Sequence, residues 1–95
     1  MFARLVRFSF GPGKSQEAQA FANEMVPLIN SQPGCDGTTE FGDAADGECG
    51  IFVLWDTQEH ADAAAEVVRP RLDAHLAGNV QGPPDARLFP VIDPN

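Results

Sequence analysis

Residues 51–55, IFVLW, form the longest uninterrupted apolar run in the chain, and what flanks them leaves few folds open. Five residues fall far short of the about 20 that a membrane-crossing helix requires. The β-branched and aromatic content instead suits a strand buried on both faces. Just upstream, residues 35–41 (CDGTTEF) and the acidic turn DAADG at 43–47 lead into it, so that 35–41 and 48–55 read as a β-hairpin. Just downstream, Asp56 or Thr57 caps a helix, with Glu59 at the third helical position if Asp56 is the cap.

The rest of the chain repeats this pattern. Residues 2–10 alternate, with Phe2, Arg4, Val6, Phe8 and Phe10 on one side and Ala3, Leu5, Arg7 and Ser9 on the other, as in a strand. GPG at 11–13 ends it. Ser15 then reads as the N-cap of a helix carrying Ala18, Phe21, Ala22, Met25, Leu28 and Ile29 at helical spacing and closing near Ser31. The second helix has the stripe Ala61, Ala64, Ala65, Val68, Leu72 and Leu76, and Gly78 ends it. Residues 87–92 form a last strand, where Pro90 requires an edge position or a bulge. Pro27 and Pro70, late in the two helices, invite kinks and no functional reading.

The order β-α-β-β-α-β predicts a ferredoxin-like α+β domain spanning residues 1–95. Right-handed crossovers place both helices on one face of a four-stranded antiparallel sheet, with strands one and three central. Two helices cover one face only. Either Leu5, Phe52 and Leu54 or the opposite set is left bare, at roughly 1.5–3 kcal/mol per side chain. A second copy packed on that face would cover them, so a homodimer through the open sheet is expected. If residue 43 faces residue 47 in the hairpin, Phe41 lies opposite Cys49 and Cys35 near Trp55, and the two cysteines cannot pair.

The net charge of −8 repels phosphate backbones and anionic lipid, so neither nucleic acid nor a membrane is an expected partner. MFARLVR at the start has charges threaded through it and no apolar core of a signal peptide, which with unpaired cysteines points to the cytoplasm. His60 and His75 are 15 residues apart, and no H-x-x-x-H, C-x-x-C or G-x-S-x-G occurs, so no metal site or nucleophile elbow is expected. GPGK lacks the spacing and hydroxyl of a phosphate-binding loop.

FGPGK, QPGCDGTTEF, DAADGE and FVLWDTQEHADAAAE, in this order over nearly the whole chain, resemble the antibiotic biosynthesis monooxygenase domains of the dimeric α+β barrel superfamily. The resemblance implies a cofactor-free oxygenase of phenols or quinols, in which the substrate's own phenolate reduces dioxygen. The protein then supplies an apolar cleft, a planar wall and a donor beside the developing anion. On that basis Trp55 and His75 are the candidate catalytic residues, and Phe21, Phe52, Arg69 and Arg71 the candidate substrate contacts. The chain has no tyrosine, which phenol oxygenases of this kind use in the cleft, and its first strand has no asparagine, which the haem-degrading members need. A non-catalytic small-molecule-binding or structural dimer is therefore the alternative, with an isomerase or cyclase using His75 as proton shuttle as a third reading.

Each candidate also has a plain structural role. Trp55 could be core at the end of a strand, and His75 a boundary residue of the helix. His60, in a first helical turn, is expected to be solvated surface, and Cys35 a small strand residue. Arg4 and Arg7 lie on opposite faces of a central strand. One of them must therefore enter an apolar environment, pairing with an acid such as Glu40 or offering a fork to an anionic ligand.

Overall fold

The structure, a computed structural model, describes residues 1–94. Its elements are β1 (Phe2–Ser9), α1 (Ser15–Asn30), β2 (Cys35–Gly42), β3 (Glu48–Trp55), α2 (Gln58–Leu76) and β4 (Asp85–Pro90). The sheet order is β2-β3-β1-β4, all neighbours antiparallel, which puts the two most apolar strands at the centre as expected. Both helices pack on one face. Val6, Phe8, Cys49, Ile51, Val53 and Trp55 point into the core with Phe21, Met25 and Ile29 of α1 and Ala61, Ala64, Leu72 and Leu76 of α2. Trp55 therefore lies on the helix side, and Leu5, Phe52 and Leu54 on the open side.

Local chemistry sets the boundaries. Thr57, not Asp56, caps α2, its hydroxyl accepting from the His60 N–H at 3.1 Å. Asp56 instead bonds the His60 ring at 2.7 Å, and that hydrogen bond holds its carboxyl below the usual range. At α1 the expected Ser15 cap is replaced by Lys14, whose side chain makes no capping bond. β4 starts at Asp85 and stops at Pro90, two residues earlier at each end than the sequence suggested. Pro83 and Pro84 have no N–H to donate, so pairing with β1 begins directly after them. β4 is an edge strand, and Pro90 closes it.

The hairpin register differs from expectation by one residue, and the consequence is large. Asp43 N–H donates to the Glu48 carbonyl at 2.8 Å, while Gly47 N–H donates to the Asp43 carbonyl at 2.7 Å. Gly47 is thus an extra residue with φ of 79°, and a Cβ there would overlap the Gly11 backbone. Asp43 faces Glu48, so Phe41 sits opposite Gly50 rather than Cys49. A one-residue slip exchanges the faces of a strand. Phe41 moves to the open side, where its ring covers Gly50, and Glu40 turns to the helix side beside Ile51. A bulge between Cys35 and Gly37 then restores Cys35 opposite Trp55, as predicted.

Candidate functional site

Three of the stripe positions that α2 turns towards the sheet are alanines: Ala61, Ala64 and Ala65. Side chains that short leave part of the space above the strands unfilled, and a cavity of about 250 Å³ remains between α2 and the sheet. Ile51, Val53 and Trp55 of β3 form its floor, Ile29, Val68 and Leu72 its apolar walls, and Arg4 and Arg69 its only charged lining.

Trp55 is 3% exposed, and its Nε1 is buried without a hydrogen-bond partner. Leaving a buried donor unpaired costs about 1–3 kcal/mol, so this N–H is an uncompensated group within the residue that floors the cavity. Arg4 rises from the centre of β1 into the same space. One guanidinium N–H reaches the Ala61 carbonyl at 3.4 Å, and Asp62 is 3.8 Å away. Both contacts are long, and most of its five donors are uncommitted. Burial pushes the Arg4 guanidinium below its ordinary value; Asp62 opposes the shift and Arg69 adds to it. The arrangement is an apolar slot floored by the Trp55 indole with two cations on its lining, suited to a flat ligand carrying an anionic oxygen.

Of the residues singled out from sequence, Trp55, Arg69 and Arg4 meet at this cavity, and His75, Arg71, Phe21 and Phe52 lie elsewhere. His75 sits in the α1–α2 seam with its Nε2 2.9 Å from Glu24 and its ring edge-on to Phe21, centroids 5.8 Å apart. Arg71 binds the other oxygen of Glu24 at 3.3 Å. Phe21 belongs to the aromatic cluster with Phe8 and Phe10 and does not line the cavity. Phe52 is on the far side of the sheet, 38% exposed. Arg4 does not pair with Glu40; its carboxylate neighbour is Asp62, one helical position from the carbonyl it also contacts. The sequence signal for the cavity was the alanine spacing itself, which reads as a stripe until small size is taken as empty volume.

Glu40 is the other unsatisfied group. Its Oε1 is buried without a partner, and desolvation lifts its carboxyl from 4.5 to about 7. A folded-state value above the unfolded one means stability is fully present below about pH 4.5 and lost as pH rises through about 7. Allowing for solvent screening of a half-exposed group, the loss is about 1–2 kcal/mol. Glu40→Gln is expected to remove that slope, so urea denaturation at pH 8 should show the variant more stable than wild type, with no difference at pH 4.5. A wild-type stability that is flat between these pH values would contradict the burial argument.

Among the described residues no helix is long and apolar enough to cross a membrane, and no group of three His, Cys, Asp or Glu is placed to hold a metal ion. No protein-family profile matches the chain, and neither does any curated protein sequence. Solved structures do match. A candidate antibiotic biosynthesis monooxygenase from Nitrosomonas europaea superposes with a TM-score of 0.83 at 15% identity, over 98% of this chain and 100% of that one. SnoaB, a cofactor-independent oxygenase from Streptomyces nogalater, gives 0.78 at 16% identity, over 97% of this chain and 93% of its own. The fold is that of the antibiotic biosynthesis monooxygenases. A second Nitrosomonas europaea protein, of unknown function, superposes equally well at 0.83 with 19% identity, over 99% of this chain and 91% of that one. Antibiotic biosynthesis monooxygenase architecture thus accommodates this chain from end to end, with the Trp55 cavity between its sheet and second helix.

Proposed function

We propose that this chain is a cytoplasmic, homodimeric antibiotic biosynthesis monooxygenase that oxidises a small phenol- or quinol-type metabolite without a cofactor. The observation that carries the reading is the cavity lined by Trp55, whose N–H is orphaned, and by the under-partnered Arg4 guanidinium over an apolar floor. The likeness to SnoaB in fold supports the reaction class. At about 250 Å³ the cavity lies just below the roughly 300–1,000 Å³ of ligand pockets, which favours one or two fused rings over larger skeletons.

The chemistry follows from the charges. Two guanidiniums and an indole N–H favour the phenolate over the phenol, and a phenolate is the electron-rich form that can transfer an electron to dioxygen. Recombination of the resulting radical pair forms a carbon–oxygen bond. Cleavage of the peroxide with loss of water then leaves a carbonyl, so that CH₂ + O₂ becomes C=O + H₂O, with the substrate as reductant. Arg4 and Arg69 stabilise the anion, Trp55 donates to its oxygen and flanks the ring, and the apolar walls exclude water. No carboxylate or imidazole lines the cavity, so the substrate is one acidic enough to ionise beside the cations.

Oxygen uptake by the purified protein with a panel of hydroquinones and anthrones tests the proposal. Consumption above the uncatalysed rate, saturating with substrate and accompanied by the oxygen-inserted product (the quinone of an anthrone, the hydroxyquinone of a hydroquinone), is the expected result. Saturable binding to the cavity without uptake would instead support a non-catalytic binding dimer, and neither binding nor uptake would overturn both.

A further inference from the structure

A second cavity, of about 220 Å³, opens between the first turn of α1 and the β2–β3 hairpin and shares no lining residue with the first. Phe10, Ala18 and Cys49 give it apolar walls, and Lys14, Gln19 and Glu40 are polar groups on its lining. It exists because of the hairpin slip described above, which turns Glu40 to the helix face and leaves its Oε1 buried with no donor.

The electrostatic character here is opposite to that of the Trp55 cavity. Asp43 lines the space, and Asp46 and Glu48 stand on the same hairpin. Asp43 and Asp46 each accept a backbone N–H, from Ala45 and Glu48 respectively, so both serve as acceptors rather than donors to Glu40. Burial pushes the Cys49 thiol up, and the negative charges of Glu40, Glu48 and Asp46 add to the shift, as expected where one end of the sheet disfavours further negative charge. Lys14, the one cation on the cavity lining, makes no ion pair with Glu40. A half-buried carboxylate with one orphaned oxygen, among other carboxylates, is best satisfied by a positively charged donor.

We propose that this cavity is a second small-molecule site that takes an organic ammonium, its N–H donors on Glu40 and its apolar body against Phe10, Ala18 and Cys49. The ligand class is thus a compact amine, in contrast to the anion favoured beside Arg4. Occupation converts the half-buried Glu40 from a destabilising carboxylate into one arm of an ion pair.

A ¹H–¹⁵N NMR titration of the full chain with benzylammonium at pH 8, with benzyl alcohol and benzoate as isosteric neutral and anionic probes, tests the assignment. Expected are saturable shifts centred on Ala18, Glu40 and Cys49 with benzylammonium alone. Affinity should fall roughly thirtyfold at pH 5.5, where a carboxyl titrating at about 7 is almost fully protonated. Glu40→Gln, which keeps the side-chain shape, should weaken binding by at least about tenfold. Asp46→Asn, on the hairpin but off the cavity lining, should change it less than threefold, as expected of a screened surface charge. Absence of shifts, shifts centred elsewhere, equal response to benzyl alcohol, or undiminished binding in Glu40→Gln would each overturn the proposal. Oxygen uptake plays no part in this readout, so its outcome is separate from that of the monooxygenase reading.

Discussion

Arg4→Met is expected to lower kcat/KM for oxygen uptake by about 10²–10³-fold while leaving the protein as stable as before, or more so. The two effects have opposite signs for one physical reason. Arg4 holds its charge in a half-buried position where burial works against it, with only a carbonyl at 3.4 Å and a carboxylate at 3.8 Å for compensation. Methionine keeps an apolar stem on the cavity lining shared with Val6 and the α2 alanines and relieves the desolvation, so thermal unfolding should not move to lower temperature. The anion loses its nearest central cation, and its ionisation in the site becomes harder. The acidic limb of the kcat/KM profile should therefore move up by about 1–3 pH units in the variant. A purely structural Arg4 would lower stability and leave that limb in place. Trp55→Phe, which retains the ring and deletes only the N–H, should cost about tenfold, as expected for a single hydrogen bond to a charged acceptor.

Phe52→Asp is expected to convert the protein from dimer to monomer. The open face of the sheet carries Phe41, Phe52 and Phe89 at 49%, 38% and 37% exposure, with Leu5 and Leu54 half-buried between them. Arg87 lies across the Phe89 ring at 4.7 Å and screens only that edge. A contiguous patch of this kind is unusual on a monomer. In a two-fold symmetric interface the substitution is made twice, so losing the phenyl burial alone costs roughly 3–6 kcal/mol, or between about 10² and 10⁴ in Kd. Analytical ultracentrifugation at micromolar concentration should find the wild type as a dimer and the variant as a folded monomer. A monomeric wild type, or a variant that remains dimeric, would remove the sheet face as the interface.

Much of the fold was legible because it depends on local chemistry and simple counting. Alternation over residues 2–10, the alanine-rich stripe of the second helix, the glycine and proline breaks and a cap at Asp56 or Thr57 are set by neighbours in the chain. The crossover rule then ordered the strands. The hairpin was read correctly in kind and one residue wrong in register, since DAADG admits pairing of Asp43 with either Gly47 or Glu48. Gly47, with its positive φ against Gly11, decided for the latter. That residue sent Glu40 inward and Phe41 outward, and no local signal marks either.

The site was legible only in part for the same reason. Trp55 could be located at the end of a strand, but a period of two offers two faces, and only coverage by both helices put its ring against α2. His75 follows Leu72 by three and looked like a continuation of the stripe, yet α1 passes close at that turn and Glu24 takes its ring nitrogen. Arg4 was recognised as an ion in an apolar strand, while its neighbour, Asp62, lies 58 positions away and could not be chosen over Glu40 from the sequence. The sequence by itself determined the order of elements, the central strands and the bare apolar face, because these follow from periodicity and from two helices having only one face to cover. Tertiary structure alone decided which charges stand beside which cavity, because that depends on a register of one residue and on the space left where alanines meet a tryptophan.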